Sequence, residues 1–327
     1  MFNIEIRNNK SFECDGDTTI LYAAKKAGIT LEHSCLSARC RSCIVRVKEG
    51  KTVNEHEEFV LSEKERSDGY ILSCNVKPLS NLKLDIEDLG VELSEVKTLP
   101  CKIQVLDKLS TDILRVVLRL PPNTNFSYIP GQYINVIKGT IKRSYSIAST
   151  SNGDSTIELF IKKYEDGIMS KYWFEEANEN DLLRLEGPLG TFFYRDSETK
   201  VIILMATGTG IAPVKAILEQ ISHNYKQFEH KKILVIWGGR YTEDLFWRPE
   251  IELKNFTFIP VLSRPDENWK GSIGYVQDVL VSQIQNLENA QVYACGSNEM
   301  IASSKLLLAK YGLKENNFYS DAFVSSN

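Results

Sequence analysis

The chain is predicted to be a multidomain α+β protein in three parts, and three observations predict it. Its 327 residues exceed one domain at about 150 residues each. The hydrophobic rhythm changes twice, from a mixed strand-and-helix opening to closely spaced strands, then to strands alternating with helices. Five of the seven cysteines, Cys14, Cys35, Cys40, Cys43 and Cys74, crowd into the first 95 positions, leaving Cys101 and Cys295 for the rest. Charge is skewed the same way: positions 1–95 hold 13 basic and 17 acidic residues, and the remainder holds 26 of each.

The elements follow in order. Phe2, Ile4 and Ile6 alternate with Asn3, Glu5 and Arg7, a strand, and Asn8-Asn9-Lys10 turns it toward a second. Thr18-Thr19 caps a short helix from Ile20 that ends at Gly28. A cysteine-bearing loop precedes strands at Ile44–Val47 and Leu82–Ile86. We place this first domain at 1–90 and a linker at 91–99. A second domain, 100–195, has strands at Lys102–Leu106, Ile113–Leu120, Gln132–Ile137, Arg143–Ala148 and Thr156–Lys162. Pro121-Pro122-Asn123 and Asn152-Gly153-Asp154 read as turns between them, the pattern of an antiparallel barrel. The third domain, 196–327, has strands at Lys200–Ala206, Lys232–Trp237, Phe256–Pro260 and Gln291–Cys295. Helices at Pro213–Ser222, Gln277–Gln285 and Glu299–Tyr311 complete a parallel α/β sheet.

Composition excludes several classes. Lys and Arg number 39 against 43 Asp and Glu, so no basic excess is present for a nucleic-acid partner. A hydrophobic content of 43% with 25% charged residues is that of a globular chain, not a disordered one. Met1–Arg7 places charges where a signal peptide needs an apolar run, and Val201–Ala206 is too short to span a bilayer. The expectation is a cytoplasmic protein, away from the membrane, whose odd number of cysteines serves something other than closed disulfides.

Cys35-x4-Cys40-x2-Cys43, with Cys74 far downstream, is the sharpest motif. Four soft thiolates on a loop suit an iron–sulfur cluster, and these offsets match the plant-type ferredoxin pattern for [2Fe–2S]. A structural zinc site is the alternative, although Cys74 lacks the close second cysteine such sites use. Cys14 reads as a buried apolar residue. The ferredoxin family commonly has glycines where this chain has Ala38 and Arg41, so the loop is expected to form with those positions away from positive φ. Arg39, Arg41 and Arg46 are expected to make a basic rim that attracts an acidic partner.

In the second domain, Arg143-Ser144-Tyr145-Ser146 follows Pro130-Gly131-Gln132-Tyr133 and precedes Gly167-Ile168-Met169-Ser170. A guanidinium can hold a pyrophosphate, a Tyr can stack on an isoalloxazine, a Ser hydroxyl can reach flavin N5, and a helix start offers free amides. An exposed Arg on a plain barrel is the bland alternative. Together these motifs resemble the flavin-binding motifs of the ferredoxin–NAD(P)H reductase superfamily. The resemblance implies a β-grasp ferredoxin domain ahead of a flavin-binding barrel, with FAD rather than FMN.

In the third domain a strand runs into Thr207-Gly208-Thr209-Gly210-Ile211-Ala212-Pro213 and a helix, a cradle for pyrophosphate. The third glycine of the usual dinucleotide fingerprint is missing, as is an acid after the second strand, which reads Trp237-Gly238-Gly239-Arg240. The reductase superfamily uses this variant loop. Asp244, the Cys295-Gly296 pair, Met300 and the tail Phe318–Phe323 also resemble that superfamily, which places such a Cys by the nicotinamide and such a tail against the flavin. On sequence alone a buried strand-end thiol is the more natural reading of Cys295. Ser263-Arg264 either clamps a 2′-phosphate or is a solvated loop; NADH is the expected coenzyme, with NADPH accepted.

The resemblance covers the whole chain and implies electron flow from NAD(P)H through flavin to the cluster, with Ser146 and Cys295 nearest the hydride. Leu262-Ser263-Arg264-Pro265, Trp269-x-Gly271 and the aromatic tail look most like CDP-6-deoxy-glucoseen reductases, which serve an iron–sulfur sugar dehydrase in dideoxyhexose synthesis. A monomer that meets its acceptor transiently is implied. The alternatives are the reductase of an aromatic-ring or alkene oxygenase and, from another class, a zinc or iron–sulfur redox-sensing interaction protein.

Overall fold

The alternating N-terminal residues form β1 (Phe2–Glu5), paired antiparallel with β2 (Ser11–Cys14). Between them Asn8 and Asn9 take φ of 64° and 56°, which asparagine tolerates better than most residues. A computed structural model describes residues 1–151, 153 and 155–323, so Asn152 and Asp154 of one expected turn lie outside the described residues. Helix α1 (Ile20–Lys26) buries Ile20, Leu21, Ala23 and Ala24; Thr19 stands at its N-cap, but its hydroxyl makes no capping bond. The unit continues through β3 (Ile44–Glu49), β4 (Thr52–Asn54), α2 (Glu63–Ser67), β5 (Tyr70–Leu72), β6 (Val76–Pro78) and β7 (Leu82–Leu84). The main sheet runs β2-β1-β7-β3-β5, with β1 and β7 parallel, and α1 packs on it over Ile4, Phe12, Val45 and Leu84. This mixed sheet gripping a helix is the expected β-grasp.

The chain divides into two compact units, Met1–Ser94 and Glu95–Asn327. The second opens with β8 (Lys97–Lys108), so Lys97, Thr98 and Leu99, read as linker, are strand: they pair with Gly187, Glu186 and Leu185. The elements β9 (Ile113–Arg119), β10 (Tyr133–Lys138), β11 (Ile141–Ser146), β12 (Thr156–Lys162), α3 (Ile168–Lys171) and β13 (Leu182–Leu189) follow. They make one curled antiparallel sheet, β11-β10-β13-β8-β9-β12, whose edge strands meet at an Ile147–Leu159 bridge. Strand β13 is not foreseen because Gly187-Pro188 reads as a break. Its Leu183 and Leu185 nonetheless alternate into the barrel core.

The parallel sheet is built from β14 (Val201–Thr207), α4 (Ile211–His223), α5 (Tyr225–Phe228), β15 (Lys232–Gly239), β16 (Phe256–Leu262), β17 (Ser272–Ile273), α6 (Val276–Gln283), β18 (Ala290–Gly296), α7 (Asn298–Lys310) and β19 (Phe318–Ala322). Its order is β17-β16-β15-β14-β18-β19. The chain leaves β14 toward β15 on one side, and β18 flanks it on the other. The order therefore reverses at β14/β18, where open α/β sheets bind ligands beyond the strand ends. The tail is a sixth strand of this sheet. Ala148, Phe160 and Phe192 of the barrel lie in one core with Ile202, Leu204, Ile217 and Trp237, so barrel and sheet form one unit. Among the described residues no helix is long and apolar enough to cross a membrane.

Two carboxylates in the first unit make its stability pH-dependent. Arg7 and Lys48 hold Asp85 down to about 2. Burial opposes, but the guanidinium of Arg41 and the amide and hydroxyl of Ser62 bring Glu65 down to about 2 as well. Both values are depressed on folding. Their contribution is therefore present above the ordinary carboxylate range and lost as pH falls from about 4.5 toward 2. Asp85→Asn is expected to lower stability to denaturant near neutral pH, and to lose less on acidification to about pH 3 than the parent, read by circular dichroism.

Candidate redox and nucleotide-binding site

The cysteine loop lies between α1 and β3 and leaves its sulfurs in two pairs. Cys43 Sγ and Cys74 Sγ are 3.2 Å apart, and Cys35 and Cys40 form the other pair, with the Cys35 amide 3.3 Å from Cys40 Sγ. The amides of Ser37 and Arg39 each point at Cys35 Sγ from 3.4 Å. Hydrogen bonding with Cys40, then those amides, pulls the Cys35 thiol down to about 4. Its contact with Cys43 lowers Cys74, while Cys40 and Cys43 are pushed up by the same contacts and by burial. Two sulfur pairs ringed by amides fit a two-iron cluster with four cysteine ligands.

Contrary to expectation, Ala38 at 56° and Arg41 at 66° do take positive φ, and Leu36 at 55° joins them. Left-handed residues between right-handed ones turn successive N–H groups toward one point, a nest for negative charge. Of the three arginines of the expected basic rim, Arg41 is drawn into an ion pair with Glu65. Arg41 donates to the Val60 carbonyl and to Glu65, which in turn caps α2 through Ser62. Arg46 donates to the Asp68 carbonyl at 2.9 Å, and Arg39 is exposed. Arg41 is thus a latch between the cysteine loop and α2.

Strand β11 carries the flavin-type motif on the edge of the barrel sheet, with Ser146 opposite Tyr133 and Arg143 opposite Val136. Alternation puts Arg143 and Tyr145 on one face, Ser144 and Ser146 on the other. Ser144 donates to Asn135 Oδ1 at 2.7 Å, so its hydroxyl serves the barrel. Arg143 uses one of its five donors on the Lys142 carbonyl. Tyr145 accepts a 3.0 Å bond from Trp173 Nε1, and the rings stand edge to face. Burial pushes its hydroxyl up to about 12, Trp173 opposing. Gly167 precedes α3, and a Cβ there would press on Ser170. Met169 is core and Ser170 accepts from the Tyr164 amide, while Ile168 points outward. What this segment offers a ligand is therefore backbone amides.

Beyond β14, Gly208 has φ +54° with open space where a side chain would stand, and Trp237 Nε1 donates to its carbonyl at 2.9 Å. Gly210 must be glycine because a Cβ would collide with the Cys295 carbonyl. Gly296 is likewise closed in by Thr207 and Met300. Thr207, Thr209 and Pro213 complete the turn into α4. The strand-end loops of β15 and β16 are knitted together. Asp244 accepts from the amides of Arg240 and Tyr241, and Arg264 and Ser263 donate their amides to the carbonyls of Arg240 and Gly239. Gly238 abuts Val276. A cleft of about 360 Å³ lies here, lined by Tyr241, Thr242, Glu243, Arg264, Pro265 and Asp266.

Cys295 lies at the end of β18. Its side chain is fully buried, and burial, with Asp321 across on β19, holds the thiol well above its ordinary range. It is the buried strand-end thiol, not an exposed reactive group. Phe323 donates its amide to the Gly296 carbonyl and packs on the shared core.

Comparisons with known proteins match this layout. Residues 4–79 match the 2Fe-2S iron-sulfur cluster binding domain, 100–194 the oxidoreductase FAD-binding domain and 204–305 the oxidoreductase NAD-binding domain. The CDP-6-deoxy-L-threo-D-glycero-4-hexulose-3-dehydrase reductase of Yersinia pestis is 37% identical over 96% of both chains. The chain belongs to the iron–sulfur flavoprotein reductase family. It is an NAD-, FAD- and [2Fe–2S]-dependent electron-transfer reductase. The phenol hydroxylase P5 protein of Acinetobacter pittii, another relative, is 30% identical over 97% of this chain and 92% of its own. The Amycolatopsis cytochrome P450 reductase GcoB shares the fold with a TM-score of 0.76 at 21% identity, each chain covered completely.

Two residues of this reductase escaped the sequence reading. Trp173 orients Tyr145, and only its place after the flavin-type glycine segment hinted at it. Lys215 sits within Ile211–Ile221, where a lone cation in an apolar run is a legible anomaly. The Arg41 latch makes a testable contrast. Arg41→Gly relieves about 1–2 kcal/mol of left-handed strain but removes charge-assisted bonds worth about 1.5–3 kcal/mol. The variant is expected to melt lower and to release iron faster to a chelator; a higher melting midpoint would show that strain outweighs the latch.

Proposed function

We propose that this reductase passes electrons from NADH to an iron–sulfur sugar dehydrase acting on a CDP-6-deoxyhexulose, as its relative's name describes. The 37% identity across 96% of both chains carries this reading. When bound, FAD would supply the exchange between the two-electron chemistry of NADH and the one-electron chemistry of the cluster. The chain's own residues bind and orient. We assign 1–90 to the cluster, 100–195 to the flavin and 196–327 to the nucleotide. Cys35, Cys40, Cys43 and Cys74 hold iron. Arg143 and the segment Gly167–Ser170, through the amides of Ile168, Met169 and Ser170, hold the flavin pyrophosphate, Tyr145 stacks on the ring, and Ser146 hydrogen-bonds N5. The segment Thr207–Gly210, with Pro213 opening α4, cradles the NADH pyrophosphate. The Cys295-Gly296 strand end and Met300 shape the nicotinamide side, with Phe323 beside the flavin. Gly238, Arg240, Asp244, Ser263 and Arg264 shape the adenosine end. The protein acts as a cytoplasmic monomer that meets its acceptor transiently.

The oxygenase reading keeps the same chemistry, and the 30% identity to the phenol hydroxylase component favours it as the second choice. Reconstitution separates them. Turnover is expected with a CDP-hexulose dehydrase and not with a hydroxylase component. The opposite pattern would reverse the order.

The cleft by Arg264 supports NADH over NADPH. Glu243 and Asp266 line it with a single guanidinium, so a 2′-phosphate meets two carboxylates. NADH is expected to give the higher kcat/KM, and the double change Glu243→Gln with Asp266→Asn is expected to narrow the ratio about tenfold, or about 1.4 kcal/mol. Ser146→Ala is expected to slow flavin reduction about tenfold or more, the worth of one hydrogen bond at the reacting atom; an unaltered rapid-mixing rate would refute its role.

A further inference from the structure

Helix α4 buries one cation among apolar neighbours: Lys215 is 8% exposed. Its ammonium donates to the Ala148 carbonyl at 2.7 Å, to Glu158 Oε2 at 2.8 Å and to Glu219 Oε1 at 2.6 Å. The other oxygen of Glu219 accepts from the Thr150 amide at 3.0 Å. The other oxygen of Glu158 is held by Arg115 at 2.8 Å. The gripped segment is further fixed by the Ile147 amide on the Gln132 carbonyl and the Ala148 amide on the Glu158 carbonyl. Every bond of the ammonium to the barrel therefore lands on the chain just beyond Ser146 or on the strand paired with it.

The other end of this connection is the nucleotide loop. Lys215 stands five residues beyond Gly210, about 7.5 Å of helix from the end of the Gly208–Gly210 turn. Ala148 stands two residues beyond Ser146, about 7 Å of extended chain. One side chain thus bridges the two loops by short stretches of chain on either side. The surrounding contacts are apolar: Ala148, Phe160 and Phe192 against Val214, Ile217 and Leu218. Such contacts hold two layers together but permit small slides. Directional bonds in a low-dielectric setting select one arrangement.

We propose that Lys215, with Glu158 and Glu219, is a positioning residue for hydride transfer: it fixes the nucleotide loop relative to Ser146. The proposal rests on the placement of flavin at Ser146 and of NADH at Gly208–Gly210 given above. Hydride transfer needs donor and acceptor near contact distance, and a misplacement of about 1 Å slows such steps by about 100-fold. A clamp that orients without touching either nucleotide acts on the limiting rate and leaves coenzyme affinity nearly unchanged.

The test uses the FAD-loaded chain, mixed anaerobically with NADH, in parent, Lys215→Met, Lys215→Arg and Glu219→Gln forms. In Lys215→Met the limiting rate of flavin bleaching is expected to fall roughly 10- to 100-fold, with half-saturating NADH moved less than about threefold. Lys215→Arg restores most of the rate, and Glu219→Gln shows a smaller fall with the same split. Independently of turnover, the amides of Ala148 and Thr150 are expected to exchange hydrogen faster in FAD-free Lys215→Met than in the FAD-free parent. A parental limiting rate in Lys215→Met overturns the clamp, as does a loss confined to half-saturation. Failure of both Lys215→Met and Glu219→Gln to fold or keep FAD assigns the cluster to stability alone and also overturns it. A parent flavin that NADH does not bleach overturns the underlying placement as well, which distinguishes the two failures.

Discussion

Helix α4 packs at once against the parallel sheet and against the barrel, and the FAD-binding and NAD-binding domains are joined through that double contact. Its Val214, Ile217 and Leu218 lie in one core with Ile202 and Leu204 of β14 and with Ala148, Phe160 and Phe192 of the barrel. Each large side chain buried there contributes about 1.5–3 kcal/mol. Two folds that look separable in the sequence thereby become one body. The ends of β11 and β14 then hold a fixed relation, which a reaction between two bound nucleotides requires. The close approach of Gly210 to the Cys295 carbonyl extends the same constraint to β18.

The iron–sulfur unit meets a different constraint. A loop of bulky residues must turn its amides toward sulfur, and the turn needs left-handed backbone at Leu36, Ala38 and Arg41. That conformation is held where surrounding structure over-determines it. Here the amides of Ser37 and Arg39 find Cys35, and the Arg41 side chain finds Val60 and Glu65. A glycine would relieve the backbone but could not reach α2. The arginine therefore exchanges backbone ease for a tie to the neighbouring helix.

Much of this was legible in the sequence, for physical reasons. Apolar runs such as Val201–Ala206 admit one reading once a glycine turn and a helix follow, and the cysteine offsets specify a loop that wraps sulfur. Strand β13 was hidden because Gly187-Pro188 mimics a turn, and β19 because its Ser320 and Asp321 interrupt the apolar pattern, although pairing with β18 gives them a place. The roles of Ala38 and Arg41 were misjudged because positive φ depends on what the amides must face, which residue type alone does not reveal. Cys295 was ambiguous for a related reason: the end of a strand is legible, but the depth at which its thiol lies depends on β19 and the shared core.

One chain carries electrons from a nicotinamide through a flavin to an iron–sulfur cluster. An anaerobic titration of the purified protein with NADH, followed by absorption and with no mediator added, tests it most directly. Flavin and iron–sulfur bands are expected to bleach together in the same titration. Flavin bleaching that leaves the iron–sulfur bands oxidised, or a protein that holds zinc in place of iron, would contradict it.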